Sequence, residues 1–245
     1  MENKTSQMID HLEELRNRMI MTILAFLGFV VGGLIFVNPI YQWLIRDLDM
    51  KLAVLGPSDI LWVYLMIATI IALAATIPIA AFQVWRFIAP ALTREESKVT
   101  LKFIPALFFL FIFGIAFGYF LLFPILLDFL TSLSEGQFNL MFTVDKYFRF
   151  MITLTLPFGL LFEMPLVVLF LTRLDILNPM RLRKARKMSY FVLIIVSVLI
   201  TPPDFLSDIL VIIPLLVLYE ISVTLSNVVY KKQLKRREAL SKTAA

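Results

Sequence analysis

Six apolar runs dominate this sequence and leave it few ways to fold. Met19 to Val37, Ile60 to Phe82, Phe103 to Leu127 and Phe150 to Thr172 each approach the ~20 residues that cross a ~30 Å hydrocarbon core. Lipid offers the backbone no hydrogen bonds, so each run must satisfy its own N–H and C=O groups as a helix. Met188 to Ile200 and Ile209 to Tyr219 are apolar but shorter. The last run continues through Glu220, Ser222, Thr224, Ser226 and Asn227. The turn Thr201-Pro202-Pro203-Asp204 joins this pair, which reads as two real but short spans that thin the bilayer locally. A chain of 60% hydrophobic and 17% charged residues has too little polar surface for a soluble domain of this size.

Lysine and arginine set the expected orientation. With six spans, 19 of the 23 lysines and arginines fall on one side, including Arg173 to Lys187 and the tail from Lys231. Only Arg46, Lys51, Lys146 and Arg149 fall on the other. The richer side is assigned to the cytoplasm, with both termini on it. Five spans would instead put the basic tail outside. No cleavable signal or transit peptide is expected, because the start is polar and mixed in charge.

The expected fold is therefore an all-α membrane protein in one transmembrane domain, 1–245. Its six kinked helices form a curved, concave wall, with helices 5 and 6 short. An amphipathic helix at 6–18, striped by Met8, Leu12, Leu15 and Met19, lies at the interface before the first span. The spans are placed at 19–37, 60–85, 103–127, 148–172, 188–201 and 208–228, with a basic tail at 231–245. Ser58 or Asp59, Asn178, and Asp204 or Ser207 are candidate helix caps. Pro78, Pro105, Pro124, Pro157, Pro165 and Pro214 are expected to bend their helices. Gly28/Gly32 and Gly114/Gly118 are spaced for close helix contact.

Catalytic constellations are missing. There is no cysteine, and the one histidine, His11, sits in the amphipathic start. No HExxH, GxSxG or phosphate loop occurs. No enzyme activity, metal or cofactor is expected, and the +5 charge is read as loop charge, not nucleic-acid affinity.

The notable residues are acids. Glu163 lies in the fourth run between Pro157 and Pro165. An intramembrane carboxylate is costly, so it faces protein or water. It reads as a polar contact for a partner or gate, against a neutral acid bonded to a carbonyl that the prolines free. Glu13/Glu14 and Glu95/Glu96 form two acidic pairs on the basic side. They suit a ligand with paired guanidinium groups, since arginine binds carboxylates through bidentate, charge-assisted bonds. The competing readings are a Thr93–Glu96 capping box and a Glu14–Arg18 ion pair at i, i+4. The residues alone leave these open.

Four ordered segments resemble the TatC family, the receptor subunits of twin-arginine protein translocases. His11 to Arg18 resembles an HLxELRxR signature, and Phe87 to Glu96 an FxxPALxxxE signature. Phe162 to Pro165 resembles FExP, and Thr201 to Asp204 resembles TPPD. The resemblance implies a receptor that binds the twin-arginine signal peptides of folded cargo. It implies export driven by the proton motive force without ATP hydrolysis. Glu14 and Glu96 match the family's signal-recognition acids, with Arg16, Phe87, Pro90 and Leu92 shaping the same patch. Glu163 matches its buried acid, Asp204 its outer turn, and Asp145 a position near the outer end of the fourth helix. The implied partners are TatA- and TatB-type single-span subunits, with possible self-association, in the bacterial inner membrane. The rival reading is a proton-coupled secondary transporter using Glu163. It calls for a second buried ionisable residue, for which only Glu220 qualifies.

Overall fold

The computed structural model describes the backbone of residues 2–46, 48, 52–133, 141–201 and 204–243. Side chains are described over the same ranges except 2–11, 91, 94–96, 99 and 236–243. Among the described residues every regular element is helical, and the one β pairing is an isolated bridge between Ala53 and Thr143. The helices are α1 (Glu2–Ile45), α2 (Pro57–Ile88), α3 (Arg94–Leu101), α4 (Phe103–Phe117), α5 (Phe123–Ser132), α6 (Val144–Leu161), α7 (Met164–Arg173), α8 (Pro179–Lys184), α9 (Arg186–Ile200) and α10 (Phe205–Thr243).

Among the described residues, five stretches are long and apolar enough to cross a membrane: Leu12–Ile45, Pro57–Ile88, Phe103–Ser132, Val144–Arg173 and Phe205–Lys235. The expected fifth span falls on α9, whose 15 residues reach about 22 Å and are not among these five. The expectation that the sixth is also short is corrected, because α10 runs for 39 residues. Three of the polar residues along it, Glu220, Ser222 and Ser226, have partners. The Glu220 carboxylate accepts from Arg186 Nη2 at 2.7 Å and from the Tyr190 hydroxyl at 2.6 Å. Ser222 donates to the Leu218 carbonyl, and Ser226 shares a 2.7 Å hydrogen bond with Thr172.

The start differs too. The expected interfacial helix and first span form one continuous α1 of 44 residues. No proline interrupts it before Pro39, so nothing local forces a turn near residue 18. The prolines divide into two kinds. Pro78, Pro157 and Pro214 lie inside continuous helices. Pro124 and Pro165 instead open α5 and α7, in the first turn, where a missing N–H costs nothing. A π-helical turn, Gly118–Leu122, precedes α5, and a turn at Phe162 and Glu163 precedes α7.

Caps follow the sequence closely. Asn178 accepts from Met180 N at 2.9 Å, and Asp204 Oδ2 accepts from Ser207 N at 2.7 Å. At α2 the cap position is Gly56, two residues before Ser58, the nearer of the expected caps. Asp59 reaches back from inside the helix to accept from the Leu55 and Gly56 amides. α7 ends with Asp175 at φ 57°, where Ile176 N donates to Leu171 O and Asp175 N to Thr172 O. That pairing is a Schellman stop built without glycine.

The chain forms two compact units. The first comprises Met1–Phe109 and Gly136–Ile152. In it α1 lies along α2, where an added Cβ on Gly33 would sit 3.1 Å from the Ala68 carbonyl. Val37, Val63, Ala68 and Ala72 are buried there, and Tyr41 stacks on Phe148 with centroids 5.4 Å apart. Leu24, Val31 and Ile35 stay exposed on α1, an apolar face that lipid solvates.

The second unit comprises Leu110–Glu135 and Thr153–Ala245. Gly114 and Gly118 do bring backbones together there. An added Cβ would lie 2.5 Å from Phe158 O and 2.8 Å from Thr155 Cα respectively. Gly28 and Gly32, by contrast, face nothing within 4 Å. Phe111 and Phe158 are fully buried beside this contact. α10 is tied to α7 by the Thr172–Ser226 bond and by Gln233 Nε2 donating to Arg173 O at 2.9 Å. It is tied to α8 by the Tyr219 hydroxyl donating to Leu182 O.

Candidate functional site

In the first unit, the end of α2 turns sharply. Pro90 cannot continue the helix, and a 3₁₀ turn, Ala89–Ala91, follows. Leu92 N donates to Ala89 O at 3.1 Å, and Leu92 adopts an extended backbone before α3 begins. Trp85 Nε1 donates to Ser97 O at 3.1 Å, so the indole staples α2 to α3 across the turn. Phe82 stacks on that indole at 5.5 Å. Phe87 and Leu92 are half-buried and Pro90 is exposed.

The early turns of α1 lie beside this end of α2. Glu13, Glu14, Asn17, Arg18 and Met21 on α1, with Gln83 and Arg86 on α2, line a cleft of about 370 Å³. The two acids there differ in partner. Glu13 pairs with Arg16 at 3.0 Å with both side chains more than half exposed, a solvated contact of small worth. Glu14 pairs with Arg18, whose side chain is only 15% exposed. Arg18 Nε donates to Glu14 Oε1 at 3.1 Å, and Nη2 donates to the same oxygen. Arg18 Nη1 reaches the Gln83 carbonyl at 3.4 Å, joining the two helices.

Of the expected patch residues whose side chains are described, Glu14 lines the cleft. Arg16, Phe87, Pro90 and Leu92 do not. The Glu96 side chain lies outside the described residues, as do Arg94 and Glu95. The i, i+4 pair of Glu14 with Arg18, weighed as the structural alternative, is present. Arg18, Met21, Gln83 and Arg86 were not expected at the site. Arg18 stands in the HLxELRxR string and was the one with a sequence signal.

Glu163 sits in the turn between α6 and α7. Its amide donates to Leu160 O at 3.2 Å, and its carbonyl accepts from Leu166 N and Val167 N. Its Oε1 is buried with no hydrogen-bond partner. No bond to a proline-freed carbonyl forms at that atom. Asp145 pairs with Arg149 at 3.4 Å in the first turn of α6. Asp204 caps α10 with one oxygen, while its Oδ1 is buried without a partner. Pro202 and Pro203 of that turn lie outside the described residues.

Comparison with known proteins converges on one family. The family model described as Sec-independent protein translocase protein (TatC) matches residues 10–214. The chain is 66% identical over 239 residues to Sec-independent protein translocase protein TatCd of Bacillus subtilis (strain 168), covering 98% of this chain and 99% of that one. It is 41% identical over 242 residues to TatCy of the same organism, covering 96% and 95%. It superposes on a crystal structure of a twin arginine translocase receptor, TatC, with TM-score 0.77 and 31% identity, covering 89% of this chain and 99% of that chain. With its apolar helices and these matches, this multi-pass membrane chain belongs to the TatC family of Sec-independent protein translocase proteins.

Proposed function

We propose that this chain is the receptor subunit of a twin-arginine translocase in the bacterial inner membrane. It binds the signal peptides of folded cargo and does not hydrolyse ATP. The observation that carries the reading is the cleft: Glu14, a family signal-recognition acid, lines it and already holds one guanidinium. Glu96 is the second acid, and Arg16, Phe87, Pro90 and Leu92 form the surrounding patch. All six apolar segments cross, α9 included, and both termini lie in the cytoplasm. The charge asymmetry supports this orientation.

In this reading the two signal arginines bind Glu14 and Glu96 as charge-assisted pairs. TatA- and TatB-type single-span subunits assemble on α9 and α10, and the proton motive force drives export. Glu163 gives such a partner a buried oxygen that lacks a hydrogen bond. Asp204 and Asp145 lie at the outer ends.

The test is crosslinking of a twin-arginine signal peptide to the membrane-inserted protein. Crosslinking is expected with the Arg-Arg peptide, and its loss with Lys-Lys or with Glu96→Lys. Full crosslinking to inserted Glu96→Lys protein would move the site elsewhere. For Glu163→Gln the expectation is loss of partner co-purification, and an intact complex would remove that role. The transporter alternative gains no support from the family match. Its second candidate acid, Glu220, is held in an ion pair with Arg186.

A further inference from the structure

Glu14 and Glu96, the two acids of the proposed site, stand on different helices, and one turn of α2 is bonded to both. On one side Arg18 Nη1 reaches the Gln83 carbonyl at 3.4 Å, while its Nε donates to Glu14 at 3.1 Å. On the other, the Trp85 indole donates to the Ser97 carbonyl at 3.1 Å. Ser97 directly follows Glu96 in the first turn of α3. Backbone continuity does not hold α3 in place, because the turn Ala89–Ala91 and the extended Leu92 separate it from α2. Thr100 is buried at the far end of α3, whereas Thr93 and Lys98 near its start are exposed. The indole therefore grips α3 at the end that carries Glu96.

We propose that Trp85 is a positioning residue for the signal site: by holding Ser97 it fixes Glu96 relative to Glu14, and so favours ligands whose two arginines are adjacent. The proposal rests on the reading of Glu14 and Glu96 as signal-binding acids. A frame that is already set spares an adjacent arginine pair the cost of ordering α3. A residue inserted between the arginines adds about 3.5 Å of extended chain. Such a ligand engages both acids only if the start of α3 shifts, which strains or breaks the indole bond. That penalty falls on the spaced ligand alone, so it survives in the comparison between the two. Its ceiling is the net worth of one hydrogen bond, a factor of about two to ten in affinity.

The test uses the full-length protein in nanodiscs and reads by anisotropy the affinities of fluorescent signal peptides carrying Arg-Arg, Arg-Gln-Arg or Lys-Lys. Trp85→Phe keeps an aromatic ring beside Phe82 and removes the N–H. Arg-Arg is expected to bind it more weakly, and Arg-Gln-Arg to lose less or to gain. The preference for Arg-Arg over Arg-Gln-Arg should fall by about two- to tenfold. An unchanged preference, or equal weakening of both peptides, overturns the proposal and makes Trp85 a scaffold residue. If Trp85→Phe does not insert, benzothienylalanine at position 85 decides, since it keeps the ring shape and replaces only the N–H with sulfur. Its preference should fall in the same way, and a wild-type ratio counts against the proposal. Wild-type protein that prefers Arg-Arg to Lys-Lys but not to Arg-Gln-Arg overturns this proposal alone. Wild-type protein that binds Lys-Lys as well as Arg-Arg refutes the receptor reading itself.

Discussion

Arg16 and Arg18 lie two positions apart in one signature string and do different work. Sequence spacing put both near Glu13 and Glu14, and the i, i+4 rule named the Glu14–Arg18 pair. Which arginine is buried was not legible, because that depends on α2 lying beside α1. Asp175 shows a similar limit. A helix stop with a left-handed residue normally announces itself with glycine, and here an aspartate adopts φ 57°. Valine there would meet the left-handed penalty of a bulky side chain. Asp175→Val is expected to lower stability by about 1–2 kcal/mol, measured by thermal unfolding in detergent. Asp175→Gly should keep the turn. Equal melting of the two variants would show that the backbone relaxes out of that region.

At the scale of elements, the apolar runs and caps were largely readable, whereas the small residues were not. Gly28/Gly32 and Gly114/Gly118 share one spacing, but only the second pair meets another backbone. Gly114→Ala would push a methyl to 2.5 Å from Phe158 O and 2.8 Å from Gly159 Cα, atoms that cannot rotate away. A loss of about 1–3 kcal/mol is expected from such overpacking. Gly28→Ala meets nothing within 4 Å, and helix propensity alone should add stability, up to about 1 kcal/mol. Paired unfolding curves check both signs. The proline pattern was partly legible, since Pro124 and Pro165 each follow a break inside an expected span, the π turn at Gly118–Leu122 and the turn at Phe162 and Glu163. Composition reveals where a backbone donor is missing, but not whether the chain spends that position inside a helix or, as at Pro124 and Pro165, at the start of a new one.

For the whole molecule, membrane residence and family followed from the sequence, while the length of α10 did not. The sixth span was expected at 208–228, across Glu220, but the Arg186 and Tyr190 bonds that hold its carboxylate in a longer helix were not legible. The orientation is open to direct measurement, because the chain has no cysteine to interfere with labelling. A single cysteine at the exposed Met141 should react with an impermeant maleimide on intact cells. One at the exposed Lys235 should react only in inside-out vesicles. Reaction of both from outside would mean that α9 does not cross.

The brevity of α9 carries a mechanical consequence. In the proposed topology, in which α9 crosses, its roughly 22 Å leave about 8 Å of a ~30 Å hydrocarbon film unmatched. At fractions of a kcal/mol per Å, the surrounding lipid is held in a puckered, elastically loaded rim of a few kcal/mol. Two such rims cost less when they merge into one. Other inclusions with abbreviated hydrophobic length are therefore drawn towards α9 by lipid deformation alone, over several lipid diameters, before any side chain touches.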